Sequence, residues 1–242
     1  MSNQEINKEG KKIRAMFSGI APWYDFLNHL LSLNIDRYWR YQMTVLVPPL
    51  NLTTPILDVC TGTGDLAIAY HRASQGKVKV VGSDFCLPML ESAFKKSKKI
   101  SPGLFFLEAD TLNLPFSENY FQMTTVAFGI RNVSDTEAGI REMMRVTEPG
   151  GKVAILEFSR PKGWFLGRIY LFYFQKVLPL MGQIFSKSKD DAYHYLRNSV
   201  LQFPDGEQFA QKMRNQGLEN VTWKTFTFGI ATLYWGTKTT PT

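Results

Sequence analysis

The chain has 242 residues, a formal net charge of +7 and 44% hydrophobic residues, which suits one large α/β domain. Its two cysteines, Cys60 and Cys86, have no further Cys or His at metal-ligand spacing, so the sequence predicts neither a secreted disulfide scaffold nor a metal site. The N-terminal residues include no apolar stretch of the secretory type, and a cytoplasmic protein is therefore expected.

The first part of the chain has helical character. Residues 1–50 are predicted to form an N-terminal helical cap on the same domain as residues 51–242, which carry a helical insertion at about 160–204. Within the cap, Tyr24, Asp25 and Asn28 share one face of a predicted helix. They are expected either to line a pocket or to pack the cap onto the domain.

A glycine-rich turn follows the first predicted strand. The short apolar run at 55–57 leads into Asp58, and Gly62, Thr63 and Gly64 come next, directly before a helix-forming segment. Glycine permits positive φ and lets a ligand approach where a Cβ would collide. The order of strand, glycine turn and helix predicts a loop that binds a nucleoside cofactor.

The glycines alone fit two cofactors. Gly62, Gly64 and Ala67, followed about twenty residues later by Asp84, match the dinucleotide fingerprint and equally a loop for S-adenosylmethionine. A dinucleotide loop must hold a pyrophosphate, whereas a sulfonium cation tolerates nearby carboxylates. The acidic residues that flank the turn therefore favour S-adenosylmethionine, and Asp84 suits both cofactors because a carboxylate can accept both ribose hydroxyls.

The positive charge is spread along the chain. Its densest cluster, residues 95–99, falls at the end of a predicted helix, where cations interact favourably with the helix dipole. We interpret this cluster as a solvated helix end, and no nucleic-acid partner is predicted. His29 and His71 are likewise expected on helix surfaces.

Later elements continue the α/β pattern. After the apolar run at 104–107, Asp110 and Thr111 stand in a turn that resembles the adenine-binding turn of class I methyltransferases. A fourth strand (121–128), a helix (136–147), a turn (148–152), a fifth strand (153–158) and a terminal hairpin (220–226 with 228–235) are then predicted. Together these elements predict a Rossmann-like, mostly parallel sheet with helices on both faces and a C-terminal antiparallel hairpin.

Two motifs narrow the resemblance. The segment Tyr24-Asp25-Phe26-Leu27-Asn28, and Phe128-Gly129-Ile130-Arg131-Asn132-Val133 after the fourth strand, resemble the ubiquinone/menaquinone biosynthesis C-methyltransferase family. The resemblance implies transfer of a methyl group from S-adenosylmethionine to a ring carbon of a reduced polyprenyl quinone, either a demethylmenaquinol or a methoxy-polyprenyl-benzoquinol. A methyltransferase for another small acceptor and a dinucleotide-binding oxidoreductase stay open as alternatives.

The site implied by this resemblance combines several segments. Asp58, Gly62, Thr63, Gly64, Asp84, Asp110 and Thr111 are expected to bind the cofactor, and Tyr24, Asn28, Arg131 and His194 the acceptor. Arg131 is the expected catalytic residue, because it follows the fourth strand at the edge where open α/β sheets bind ligands. A guanidinium is too basic to accept a proton at neutral pH, so Arg131 would stabilise a quinolate, or else only fix its own loop.

The apolar stretch at 165–185 is long enough to span a bilayer. Arg168 and Lys176 decide against a span, because each costs about 2.5–3.5 kcal/mol near the membrane centre. We expect a helix that lies over an apolar site or on a membrane surface, with a plain core-facing helix as the alternative. The expected partners are therefore the quinol and a membrane surface that the protein contacts peripherally. A homodimer is expected as a separate possibility.

Overall fold

The computed structural model describes residues 13–19, 21, 24–98, 100, 103–161, 195 and 198–239. The apolar stretch at 165–185, His194 and most of the predicted insertion at about 160–204 lie outside these residues, so their roles stay predictions. Within the described residues, no helix is both long and apolar enough to cross a membrane.

A seven-stranded sheet forms the centre of the molecule. Its strands are β1 (Ile56–Val59), β2 (Val80–Asp84), β3 (Leu104–Glu108), β4 (Phe121–Ala127), β5 (Thr147–Phe158), β6 (Leu218–Phe226) and β7 (Ala231–Lys238). They lie in the order β3-β2-β1-β4-β5-β7-β6. The first five are parallel, whereas β7 pairs antiparallel with both β5 and β6. The predicted parallel sheet and C-terminal hairpin are therefore confirmed.

Helices cover the sheet. They are α1 (Tyr24–Leu31), α2 (Ile35–Leu46), α3 (Asp65–Ala73), α4 (Leu87–Ser97), α5 (Thr136–Val146) and α6 (Glu207–Asn215), and residues 13–19 and 198–202 are also helical. The start of α5 is fixed by its N-cap, since the Asp135 side chain accepts a hydrogen bond from the Ala138 N–H. The absence of such a side-chain cap at α3 follows from Gly64, whose φ of 82° turns the chain directly into the helix.

Among the described residues, two large apolar cores lie against the sheet. The first includes Met43 of α2 and Tyr70 of α3, and the second includes Ile140 of α5 and Phe209 of α6. The central strand β1 is buried along its whole length, as expected of a parallel strand covered on both faces. Because Met43 belongs to the first core, α2 packs together with α3 against the sheet.

The fifth strand begins earlier than the sequence suggests. Residues 148–152 are predicted as a turn, but β5 already starts at Thr147, and its pairing with β4 steps from Thr147 to Lys152 across an irregularity. Gly151 makes this possible, because a Cβ there would lie 2.6 Å from the Gln122 carbonyl oxygen. The glycines thus lie in an irregular stretch within a strand rather than in a separate turn.

Candidate functional site

A cleft opens at the carboxyl ends of the parallel strands. Its lining combines strand-end residues with part of the N-terminal cap: Ile13, Phe17, Tyr24, Cys60, Gly62, Asp84, Phe85, Met89, Asp110, Thr111, Leu112, Ala127, Phe128, Gly129, Asn132, Val133 and Ser134. Strand order reverses between β1 and β4, and open α/β sheets bind ligands beside such a reversal. Of the residues predicted from the sequence, Tyr24, Gly62, Asp84, Asp110 and Thr111 meet here.

The glycine loop, residues 60–64, connects β1 to α3. Gly62 and Gly64 have φ values of 56° and 82°, which other residues adopt only with strain. A Cβ on Gly64 would also lie 3.0 Å from the ring of Phe106, and one on Gly82 would lie 2.7 Å from the same ring. The loop conformation therefore depends on glycine both for its backbone angles and for its packing.

Asp84 fastens this loop to the end of β2. Its Oδ2 accepts a hydrogen bond from the Gly62 N–H at 2.8 Å, and its Oδ1 accepts one from the Cys86 N–H at 2.9 Å. Burial raises the pKa of Asp84 to about 6, despite these two backbone donors. Each carboxylate oxygen has a second acceptor position, so Asp84 can also accept two hydroxyl donors from a ligand in the cleft.

Asp110 and Thr111 form the turn after β3. The Asp110 Oδ1 accepts a hydrogen bond from the Leu112 N–H at 2.9 Å, which orders the turn locally. The Thr111 hydroxyl lies 3.3 Å from the Cys60 sulfur, so this turn contacts the glycine loop across the cleft floor. The carboxylate of Asp110 is thereby held at the cleft in a defined orientation.

Asp58 lies beneath the loop and does not line the cleft. The Thr61 hydroxyl donates to its Oδ2 at 2.6 Å, and the Thr125 hydroxyl donates to its Oδ1 at 3.1 Å. Burial raises the pKa of Asp58 to about 7. Thr63 and Gly64 also lie outside the cleft lining. For these three residues a direct cofactor contact stays a prediction, and the structure shows them supporting the loop.

Tyr24 brings the N-terminal cap to the cleft. Its ring packs edge-on against Phe17 at 6.1 Å between centroids. Burial raises the pKa of Tyr24, although a hydrogen bond with Asn28 and the positive charges of Arg131 and Arg40 act in the opposite direction. The Tyr24 hydroxyl is therefore neutral at physiological pH, while Asn28 supports it from outside the cleft lining.

Arg131 is buried behind the cleft rather than in its wall. Its Nη1 donates to Glu157 Oε1 at 2.5 Å and to the Phe128 carbonyl oxygen at 2.6 Å, and its side chain is 7% exposed. The guanidinium also lies 5.3 Å from the centroid of the Phe158 ring. These contacts fix the loop after β4, and the adjacent residue, Asn132, is the one that faces the cleft.

Glu157 was not expected from the sequence as part of the site. Its side chain is 1% exposed, and burial raises its pKa although Arg131 lies beside it. Among the described residues, Glu157 Oε2 and Arg131 Nε have no hydrogen-bond partner. The sequence did contain a signal for this pair, because Glu157 is the one charged residue in the apolar segment 153–158. A carboxylate in a buried strand is rarely found without a cation beside it.

One surface assignment made from the sequence is wrong, and two others are only partly correct. His71 is 2% exposed and lies inside the fold. His29 is partly buried, and its Nδ1 lies 2.9 Å from Asp36 Oδ2. Lys96, expected to be solvated, contacts two carboxylates through its Nζ. Sequence periodicity cannot register these contacts because the partners come from different elements.

His29, Asp36 and Asp65 place possible metal-ligand atoms within 4.8 Å of one another. Cations already occupy this position, however, because Arg40 pairs with Asp36 and Lys96 Nζ lies 2.6 Å from Asp65 Oδ1. A metal ion would have to displace both charges. The cluster is better described as an ion-pair network than as a metal site.

Comparison with known proteins gives a match over nearly the whole chain. The sequence profile of the ubiE/COQ5 methyltransferase family matches residues 4–238. The ubiquinone/menaquinone biosynthesis C-methyltransferase UbiE of Geotalea daltonii is 42% identical over 236 residues, which cover 97% of this chain and 99% of that protein. The demethylmenaquinone methyltransferase of Deinococcus radiodurans is 42% identical over 231 residues, covering 95% and 94%.

Solved structures share the fold at lower identity. A possible histamine N-methyltransferase from Thermotoga maritima superposes with a TM-score of 0.66 at 20% identity, covering 93% of this chain and 98% of its own. The phosphoethanolamine N-methyltransferase 2 of Haemonchus contortus, in complex with S-adenosyl-L-methionine, superposes with a TM-score of 0.62 at 15% identity, covering 83% and 52%. These similarities establish the Rossmann-like fold of methyltransferases for this chain.

Proposed function

Because the chain belongs to the ubiE/COQ5 methyltransferase family, we propose that it transfers a methyl group from S-adenosylmethionine to a ring carbon of a reduced polyprenyl quinone. The observation that carries the proposal is the alignment with named quinone methyltransferases over more than nine-tenths of both chains. The acceptor is a demethylmenaquinol, a 2-methoxy-6-polyprenyl-1,4-benzoquinol, or both.

The cleft fits this cofactor. Asp84 offers carboxylate oxygens to the two ribose hydroxyls, Gly62 lets the ligand approach the backbone, and Asp110 offers an acceptor to the adenine amino group. When bound, S-adenosylmethionine supplies an electrophilic methyl group on a sulfonium. The task of the protein is then to hold the acceptor carbon in line with that methyl group, and such alignment can contribute about 7–11 kcal/mol to lowering the barrier.

Arg131 is proposed to stabilise the charge that develops on the acceptor ring when a hydroxyl proton is lost. It acts on the ring from behind the cleft wall, where Glu157 holds its guanidinium in place. Because Glu157 also offsets part of the positive charge, this stabilisation is weaker than that of an unpaired arginine. Tyr24 and Asn28 are proposed to contact the acceptor from the cap side of the cleft. His194 is a further proposed contact, and its support is the sequence alone.

Peripheral membrane binding follows from the lipid character of the acceptor. The stretch at 165–185, with Arg168 and Lys176, is proposed to contact an anionic membrane surface, where each cation contributes about 1 kcal/mol. Binding to anionic vesicles should then weaken as salt is raised. A homodimer is proposed as well, and light scattering of the full chain would test it.

The decisive experiment measures methyl transfer under reducing conditions. The protein is incubated with S-adenosylmethionine and a demethylmenaquinol or a methoxy-polyprenyl-benzoquinol, and mass spectrometry follows the methylated quinone. The oxidised quinones serve as the control, and they should not react because their rings are electron-poor. No turnover of any quinol, together with turnover of a water-soluble acceptor, would contradict the proposal, and tight binding of NADH in calorimetry would favour an oxidoreductase.

A further inference from the structure

Lys96 makes three polar contacts at the end of α4. Its Nζ donates to Asp65 Oδ1 at 2.6 Å, to Asp25 Oδ2 at 2.8 Å and to the Thr63 hydroxyl at 3.1 Å. The side chain is 30% exposed, so solvent reaches the ammonium but does not surround it. One cation on α4 therefore connects two segments that are distant from each other in sequence, Asp25 of α1 and residues 63–65.

Each partner belongs to a different part of the site. Asp25 lies in the first turn of α1, Thr63 in the glycine loop and Asp65 in the first turn of α3. The Thr63 hydroxyl donates in turn to Asp25 Oδ1 at 2.5 Å. Without Lys96, the carboxylates of Asp25 and Asp65 would repel each other, and the hydrogen bond between Thr63 and Asp25 would have to hold α1 to the loop against that repulsion.

The contact at Asp25 has a direct consequence for the cleft. Asp25 follows Tyr24, the residue that brings the cap into the cleft lining, and the Tyr24 ring lies 3.9 Å from where a Cβ on Gly62 would stand. The position of the first turn of α1 therefore sets the distance between Tyr24 and the glycine loop. Lys96 itself does not line the cleft.

We propose that Lys96 is a positioning residue for methyl transfer, which holds α1 against the glycine loop and thereby places Tyr24 over the bound cofactor. This inference rests on the proposed function, because it assumes that the cleft binds S-adenosylmethionine. It assigns a task to a lysine that shows no feature of a site residue in the sequence.

The test compares Lys96→Met with Lys95→Met. Lys95 is the neighbouring residue on the same helix and is exposed, so both variants remove one positive charge from the same turn. Three quantities are measured: the affinity for S-adenosylhomocysteine, the amide hydrogen exchange of residues 24–31, and the kcat and KM for a quinol.

We expect Lys96→Met to weaken S-adenosylhomocysteine binding by about fivefold or more and to speed exchange in α1, with Lys95→Met close to the parent protein. We expect kcat to fall by up to about 100-fold, because a displacement of about 1 Å is enough to disturb alignment. Lys96→Arg, which keeps the charge, should retain more of the affinity and more of the kcat than Lys96→Met does. Equal affinity and equal exchange in the two Met variants would overturn the proposal.

Asp25→Asn gives an independent arm if Lys96→Met does not fold. It removes the negative charge at one end of the bridge while the contact between Lys96 and Asp65 persists, and it should change affinity and exchange in the same direction. In the double variant of Asp25→Asn with Lys96→Met, the loss should be smaller than the sum of the single losses. Strict additivity would overturn the proposal.

Failure of the proposed function is distinguishable from failure of this inference. If the parent protein binds S-adenosylhomocysteine but methylates no quinol, the acceptor assignment fails. The comparison of Lys96→Met with Lys95→Met still decides the positioning role, because affinity and exchange require no acceptor.

Discussion

Replacement of Asp84 by Asn should weaken cofactor binding. The variant keeps the shape of the side chain and one acceptor oxygen, but it loses one charge-assisted hydrogen bond to a ribose hydroxyl, which contributes about 1.5–3 kcal/mol. Since about 1.4 kcal/mol corresponds to a factor of ten, the dissociation constant should rise by about 10- to 150-fold. In addition, the NH2 group of the Asn side chain must point at either the Gly62 N–H or the Cys86 N–H, depending on the orientation of the amide. Either way one of these two backbone hydrogen bonds is lost, so the loop is also held less firmly.

The same residue predicts a pH dependence with a definite sign. The ionised carboxylate is the form that accepts two hydroxyl donors, and the pKa of Asp84 in the free protein is about 6. Affinity should be constant above that value and should fall as the pH drops through it, by about tenfold at one pH unit below. In Asp84→Asn this change should disappear. A remaining change centred near 7 would belong to Asp58 beneath the loop.

The assay is a calorimetric titration with 5′-methylthioadenosine, which carries the ribose and adenine but lacks the titratable amino-acid end. Glu91→Gln, which removes a carboxylate from an exposed position of α4, is the matched control. Urea unfolding of each variant confirms that it is folded. The reasoning is refuted if the affinity of the parent protein is flat across this pH range, or if Asp84→Asn binds as tightly as Glu91→Gln.

Three further predictions follow from the site. Asp110→Ala should weaken binding of 5′-methylthioadenosine by about tenfold or more, and unchanged calorimetric affinity would contradict its proposed contact with adenine. Gly129→Ala places a Cβ 2.4 Å from the Cβ of Cys60 and should lower the free energy of unfolding, measured in urea, by about 1–3 kcal/mol. Adding Cys60→Gly should recover most of this loss. If stability does not recover, the clash is not the cause. Arg131→Met should lower the free energy of unfolding by about 3–5 kcal/mol, because it leaves Glu157 buried and unpaired. Adding Glu157→Gln to Arg131→Met should reduce that loss. Equal stability of the single and the double variant would contradict the pairing.

Three residues of the cleft could be predicted from the sequence because their signals are local. Asp84 and Asp110 each follow an apolar strand, and Gly62 stands in a turn that only glycine permits with ease. Parallel strands bring their carboxyl ends to one edge of the sheet, so residues at such positions meet whatever the details of packing. The structure brings all three to one cleft, as expected.

The ionic contacts could not be predicted in this way. Lys96 is 71 residues from Asp25 and 31 from Asp65, and its position at a helix end gives an equally good account of a solvated side chain. Glu157 and Arg131 are 26 residues apart and pair only because β4 and β5 are neighbours. Such pairs depend on tertiary geometry, and a single sequence contains no periodicity that reports it.

The ring of Phe106 gives the glycine loop a constraint of a different kind from its hydrogen bonds. The ring occupies the space beside Gly64 and Gly82 that a Cβ on either residue would need. One aromatic side chain from β3 therefore packs between β2 and the loop. Enlarging either glycine would require a smaller residue at 106, and shrinking Phe106 would open a void beneath the loop. The residues at positions 64, 82 and 106 are therefore expected to change together as the sequence diverges, because their side chains compete for the same space.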